Sequence, residues 1–65
     1  MDKSRLLEQW LPDSTIPPAA KLILWWLTSS GIPPAATTYS YISRQLGLDR
    51  TTVSLHMAAI ARELE

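Results

Sequence analysis

A chain of 65 residues is limited to one domain with one dense core, because at this size folding buries only about 60% of the surface that the unfolded form exposes. The chain lacks cysteine, which removes disulfides and thiolate metal sites. It also has no apolar run of membrane-spanning length and no export-type leader, so a cytoplasmic protein without a membrane partner is expected. Six Lys and Arg balance six Asp and Glu, an unusual ratio for a nucleic-acid binder, in which phosphate neutralisation normally supplies the non-specific affinity. Neither half is basic: Lys3, Arg5 and Lys21 offset Asp2, Glu8 and Asp13, while Arg44, Arg50 and Arg62 offset Asp49, Glu63 and Glu65.

Residues 2–11 place Leu6, Leu7, Trp10 and Leu11 at helical spacing, with Asp2 or Ser4 available as a cap and Pro12 ending the pattern. The stretch PDSTIPP, residues 12–18, is rich in turn formers, and its paired prolines suit an extended entry into the first turn of a second helix. Ala19 through Leu27 is nearly all apolar and is followed by Gly31 at a position suited to a left-handed helix end, so this helix is predicted to be central. Trp25 and Trp26 are adjacent and therefore about 100° apart on a helix, which favours one core ring and one interface ring. Together with Trp10, the spare ring fits either a dimer contact or burial under the N-terminal helix.

After a second connector, GIPPAAT at residues 31–37, Thr38 can cap a third helix carrying Ile42 and Leu46, which Gly47 ends. Leu48 and Asp49 leave room only for a sharp corner before a last helix from Arg50 to about Leu64, with Asp49 as its amide-accepting cap. The expectation is an all-α domain of four helices. Its core forms around residues 18–30 and buries Leu22, Ile23, Trp26, Ile42, Leu46, Val53, Met57 and Ile60.

Within TYSYISRQLGLDRTTVSLHMAAI, residues 38–60, two helices meet at a glycine turn on an apolar skeleton of Ile42, Leu46, Leu48, Val53, Met57 and Ile60. Small Ser43 permits close helix approach, Gly47 relieves positive φ and Val53 fills the angle. This segment resembles a helix-turn-helix. The run LGLDRTTVSLHMAAI is similar to the LGvsrsTVSrHLraL pattern of bacterial winged-helix regulators, including the ArsR and MarR families and plasmid replication or maintenance proteins. The upstream IPPAAKLILWWLTSSG looks like the first helix of such domains, so the likeness covers residues 16–64 as a winged-helix-like core and leaves residues 1–12 as an added N-terminal helix. The departures are the β-hairpin wing, absent by Glu65, and Leu55, which stands where the family often has Arg or Gln. Residues 1–65 are accordingly expected to form a single DNA-binding domain, with a longer native chain as the source of any wing or second domain.

The resemblance implies a transcriptional regulator or a plasmid partition or maintenance protein that reads double-stranded DNA through the major groove. At about 100° per residue, Val53, Met57, Ile60 and Leu64 share the inner side of the last helix, while Thr51, Leu55, Ala58 and Arg62 lie opposite with Ser54 on the flank. Resemblance and geometry agree on Arg50, Thr51, Ser54 and Leu55 as base or backbone contacts, since the first turns of a recognition helix insert most deeply. Arg50 suits phosphate or guanine, and Leu55 suits a thymine methyl, a dimer contact or a wing contact. Thr38, Arg44 and Thr52 complete the candidate DNA-binding set, hydroxyls being able to bind phosphate.

His56, with neither a cysteine nor a second histidine to join it, is a packed helix residue rather than a metal ligand. No nucleophile with a spaced base, phosphate loop or metal cluster points to an enzyme or a cofactor. The competing reading is a helical protein-interaction module that keeps the helix-turn-helix shape without binding DNA. If DNA is the partner, near-neutral charge favours repeated or paired sites, occupied by a homo-oligomer or by several copies.

Overall fold

The computed structural model describes residues 2–32 and 36–64. Residues 33–35 of the second connector, like the two chain ends, lie outside the described residues. Four helices follow one another, α1 (Lys3–Trp10), α2 (Pro18–Ser30), α3 (Tyr39–Leu46) and α4 (Arg50–Leu64). The protein is all-α, with no strand among the described residues. No helix among them is long and apolar enough to cross a membrane.

Local chemistry sets each boundary. Asp2 is extended and its carboxylate accepts the Arg5 amide at 2.9 Å, which satisfies one of the free amides that open α1. Between α1 and α2, Asp13 accepts both the amide and the hydroxyl of Thr15, at 2.9 and 2.6 Å, closing a side-chain turn. Pro17 is extended and Pro18 opens α2, where a missing amide costs nothing. Gly31 ends α2 in the left-handed conformation at φ 71°.

The two lysines act on helix C-termini, where carbonyls lack intrahelical partners and the macrodipole favours a cation. Lys21 donates to the Leu11 carbonyl at the end of α1, at 3.0 Å. Lys3 crosses from α1 to the end of α2 and donates to Leu27 and Ile32, each at 3.5 Å.

Helix α2 touches all three other helices. It does so through one arc, because Ala20, Ile23, Leu24 and Leu27 are its buried residues. Onto this arc pack Leu6 of α1, Ile42 of α3, and Val53, Met57 and Ile60 of α4, completing a single core. The N-terminal helix, which the family likeness left over, therefore joins that core through Leu6.

The core departs from expectation at three positions. Leu22 is 38% exposed, because it falls about 100° behind Ile23 and about 160° from Leu24, off the covered arc. Trp26 and Leu46 are partly buried and pack against the core rather than within it. Of the adjacent tryptophans, Trp26 meets Tyr41 with ring centroids 5.9 Å apart, while Trp25 is half-exposed. Leu6, Leu24 and Leu27 take the fully buried places instead.

Ile60→Ala removes a fully buried side chain at the α2–α4 contact and should destabilise the domain by about 2–4 kcal/mol. Leu22→Ala should cost less than about 1 kcal/mol. Urea denaturation of both variants checks this, and equal losses would mean that the buried arc of α2 is misplaced.

Candidate functional site

The exposed side of the α3–α4 unit gathers most of the sequence-predicted site residues, and the corner between the helices holds it in place. Gly47 sits at φ 68° with its amide bonded to the Ser43 carbonyl. A Cβ at Gly47 would meet nothing within 4 Å, so the position needs glycine for its backbone conformation alone. The Leu48 amide also reaches the Ser43 carbonyl, at 3.1 Å, and the Ser43 hydroxyl donates to the Leu48 carbonyl. Ser43 is thus more than a small spacer, since it holds the turn through both its backbone and its side chain.

Asp49 opens α4. Its carboxylate accepts the Thr52 hydroxyl at 2.5 Å and the Thr52 amide at 3.4 Å. The bond from the Thr52 hydroxyl holds the Asp49 carboxyl below the usual carboxylate range. At the start of α3 the Thr38 hydroxyl accepts the Tyr41 amide at 3.2 Å.

With Val53, Met57 and Ile60 turned inward, Thr51, Leu55, Ala58 and Arg62 are all exposed and Ser54 is half-buried. Two open clefts share Tyr39 and Arg50 and run along this side between α4 and the beginning of α3. One, of about 580 Å³, is lined by Tyr39, Arg50, Thr51, Ser54 and Leu55. The other, of about 600 Å³, joins Thr37, Thr38 and Ser40 to Arg50, Ala58 and Ala61. Arg50, Thr51, Ser54, Leu55 and Thr38 therefore fall on one continuous surface.

Arg44 and Thr52 do not line it. Arg44 is exposed on α3, about 40° round the helix from Ser40. Thr52 lies about 160° round α4 from Ser54 and its hydroxyl is occupied by Asp49. His56, half-buried, also lies on the flank away from the clefts. Tyr39, which lines both clefts, is a residue that sequence reasoning did not select. The sequence marks Thr38 as a cap but cannot show that the turn it opens faces the middle of α4.

Charge is sorted by the fold. Arg44, Arg50 and Arg62 are exposed, and the two described carboxylates of the same half lie apart from them round α4: Asp49 turns back onto Thr52, and Glu63 is about 100° round the helix from Arg62. Lys3 is engaged at the end of α2, so an alternative basic surface on α1 keeps only Arg5. Among the described residues no cluster of His, Asp and Glu is fit to hold a metal ion. No known protein family, curated protein or solved structure matches this chain, so the functional reading rests on the residues and their arrangement.

Because the Asp49 and Asp13 carboxyls are held low in the fold, each contributes stability above its unfolded pKa that is lost as pH falls through the folded one. Thermal melts should therefore lose stability below about pH 4. Asp49→Asn, which keeps a capping oxygen, should flatten that acid limb. Superimposable acid limbs for wild type and variant would show that Asp49 does not act through its charge.

Proposed function

We propose that α3, its turn and α4 form a helix-turn-helix and that α4 enters the major groove of double-stranded DNA. The observation that carries this reading is the single exposed surface on which the first turns of α4 present Arg50, Thr51, Ser54 and Leu55 beside the start of α3. In such a docking Arg50 reaches a guanine edge or a phosphate, and the Thr51 and Ser54 hydroxyls serve base edges or backbone. The amides and Thr38 at the start of α3 face the phosphate backbone, and Arg44 adds a cation from the outer side of α3. Thr52 contributes by fixing the first turn of α4. The likeness of residues 38–60 to bacterial winged-helix regulators supports the same reading and suggests a transcriptional regulator or a plasmid partition or maintenance protein, cytoplasmic and associated with the nucleoid or a plasmid. Binding, not catalysis, is the activity.

The second reading, a helical protein-interaction module, is favoured by the exposure of Leu11, Leu22 and Trp25 away from the cleft. The two readings combine if that face joins copies of the chain on neighbouring DNA sites. A surface carrying few cations needs such help, because linked binding multiplies modest single-site affinities.

Arg50→Ala, Thr51→Ala and Ser54→Ala should each weaken binding to a selected duplex by about five- to 100-fold with little change in melting temperature. With Arg44, Arg50 and Arg62 as the phosphate-neutralising groups, the slope of log K against log salt should be no steeper than about −3. Fluorescence anisotropy measures both. Wild-type affinity in all three variants would move the function to another surface, and absence of any shift with random duplex at low salt would favour the protein-interaction reading. On DNA carrying one, two and three copies of the selected site, affinity per copy should rise with copy number. A single site bound at nanomolar concentration in physiological salt would overturn the need for repeats.

A further inference from the structure

We propose that Tyr39 and Leu55 together form an apolar seat for the 5-methyl group of a thymine, an inference that rests on the major-groove reading above. Both residues line the same open cleft of about 580 Å³, with Arg50, Thr51 and Ser54 completing its lining. Leu55 is 67% exposed and Tyr39 is 42% exposed, so apolar surface from two helices faces solvent at one spot. Besides the Tyr39 phenol, the polar groups of the lining are one guanidinium and two hydroxyls, and no carboxylate among the described residues lines the cleft.

A small apolar seat ringed by a cation and hydroxyls complements an anionic partner that carries a small apolar group. The major-groove edge of thymine has this character, with a methyl beside the O4 acceptor and phosphates within an arginine's reach. An amphipathic partner helix fits less well, since it docks through several large anchors in a row. Along the same side of α4, Leu55 is followed by Ala58 and Arg62, which leaves one large apolar anchor and no row. Tyr39 belongs to α3, so the seat exists only while the Gly47 corner holds the two helices in register. In the proposed docking the Tyr39 ring and Leu55 both contact the methyl, and the Thr51 and Ser54 hydroxyls, which line the same cleft, serve O4 or a neighbouring acceptor.

The test replaces each thymine of the tightest duplex recovered from a random pool by deoxyuridine, which pairs identically and lacks only the methyl. At one position per site, wild-type protein should bind the uridine duplex about four-fold more weakly, the effect of one buried methyl. Leu55→Ala should bind thymine and uridine duplexes alike. Tyr39→Ala should shrink the difference and Tyr39→Phe should keep it. Both side chains are exposed, so circular dichroism melts should match wild type, and the Leu55 variant suffices if the Tyr39 variants do not fold. Methyl-independent binding at every thymine, or a methyl effect undiminished in Leu55→Ala, overturns this inference while leaving major-groove binding intact. Failure to bind any duplex overturns both.

Discussion

Burial of Val53, Met57 and Ile60 against the arc of α2 that carries Ile23, Leu24 and Leu27 decides which way α4 faces. A 15-residue helix with apolar residues at this spacing has only one stripe to bury. Once the stripe is covered, Thr51, Leu55, Ala58 and Arg62 must face outward. The proposed DNA-reading surface is therefore the complement of the core, and the same residues that stabilise the domain aim its site. A core change at Ile60 would disturb both, whereas changes at Leu55 or Arg50 leave the packing alone.

The corner between α3 and α4 adds the second constraint. Ser43, Gly47 and Asp49 act over seven residues to stop one helix, turn the chain and start the next, through backbone conformation and hydrogen bonds rather than through burial. Because the turn is short and its polar groups are satisfied locally, the start of α3 is held beside α4, and Tyr39 and Arg50 come to share one surface. Apolar packing of Ile42 on the common core reinforces the arrangement from within.

Neutral net charge acquires a different meaning once the fold is known. Lys3 and Lys21 complete helix C-termini, and Asp2 and Asp49 complete helix N-termini, so these charges act within the domain. Arg44, Arg50 and Arg62 of α3 and α4 are exposed and would be the cations available to DNA in the proposed reading. A whole-chain sum treats these two groups of charges alike, which is why composition argued against a polyanionic partner and the arrangement does not.

The sequence by itself determined the four helices and nearly all their limits, because caps and breakers act within a few residues of one another: Asp2, Pro18, Gly31, Thr38, Gly47 and Asp49 each have a local physical reason to stand at a boundary. It also determined the inner stripe of α4, since the spacing of Val53, Met57 and Ile60 admits one helical face. What it left undecided was the long apolar run of α2, where Leu22, Ile23, Leu24, Trp25, Trp26 and Leu27 offer apolar side chains in nearly every direction. Only the positions of α1, α3 and α4 around that helix could select Ile23, Leu24 and Leu27 for the core and leave Leu22 and Trp25 outside. The partnership of Tyr39 with Leu55, 16 residues away along the chain, was decided in the same way, because it depends on how two helices cross and local residue preferences do not specify a crossing.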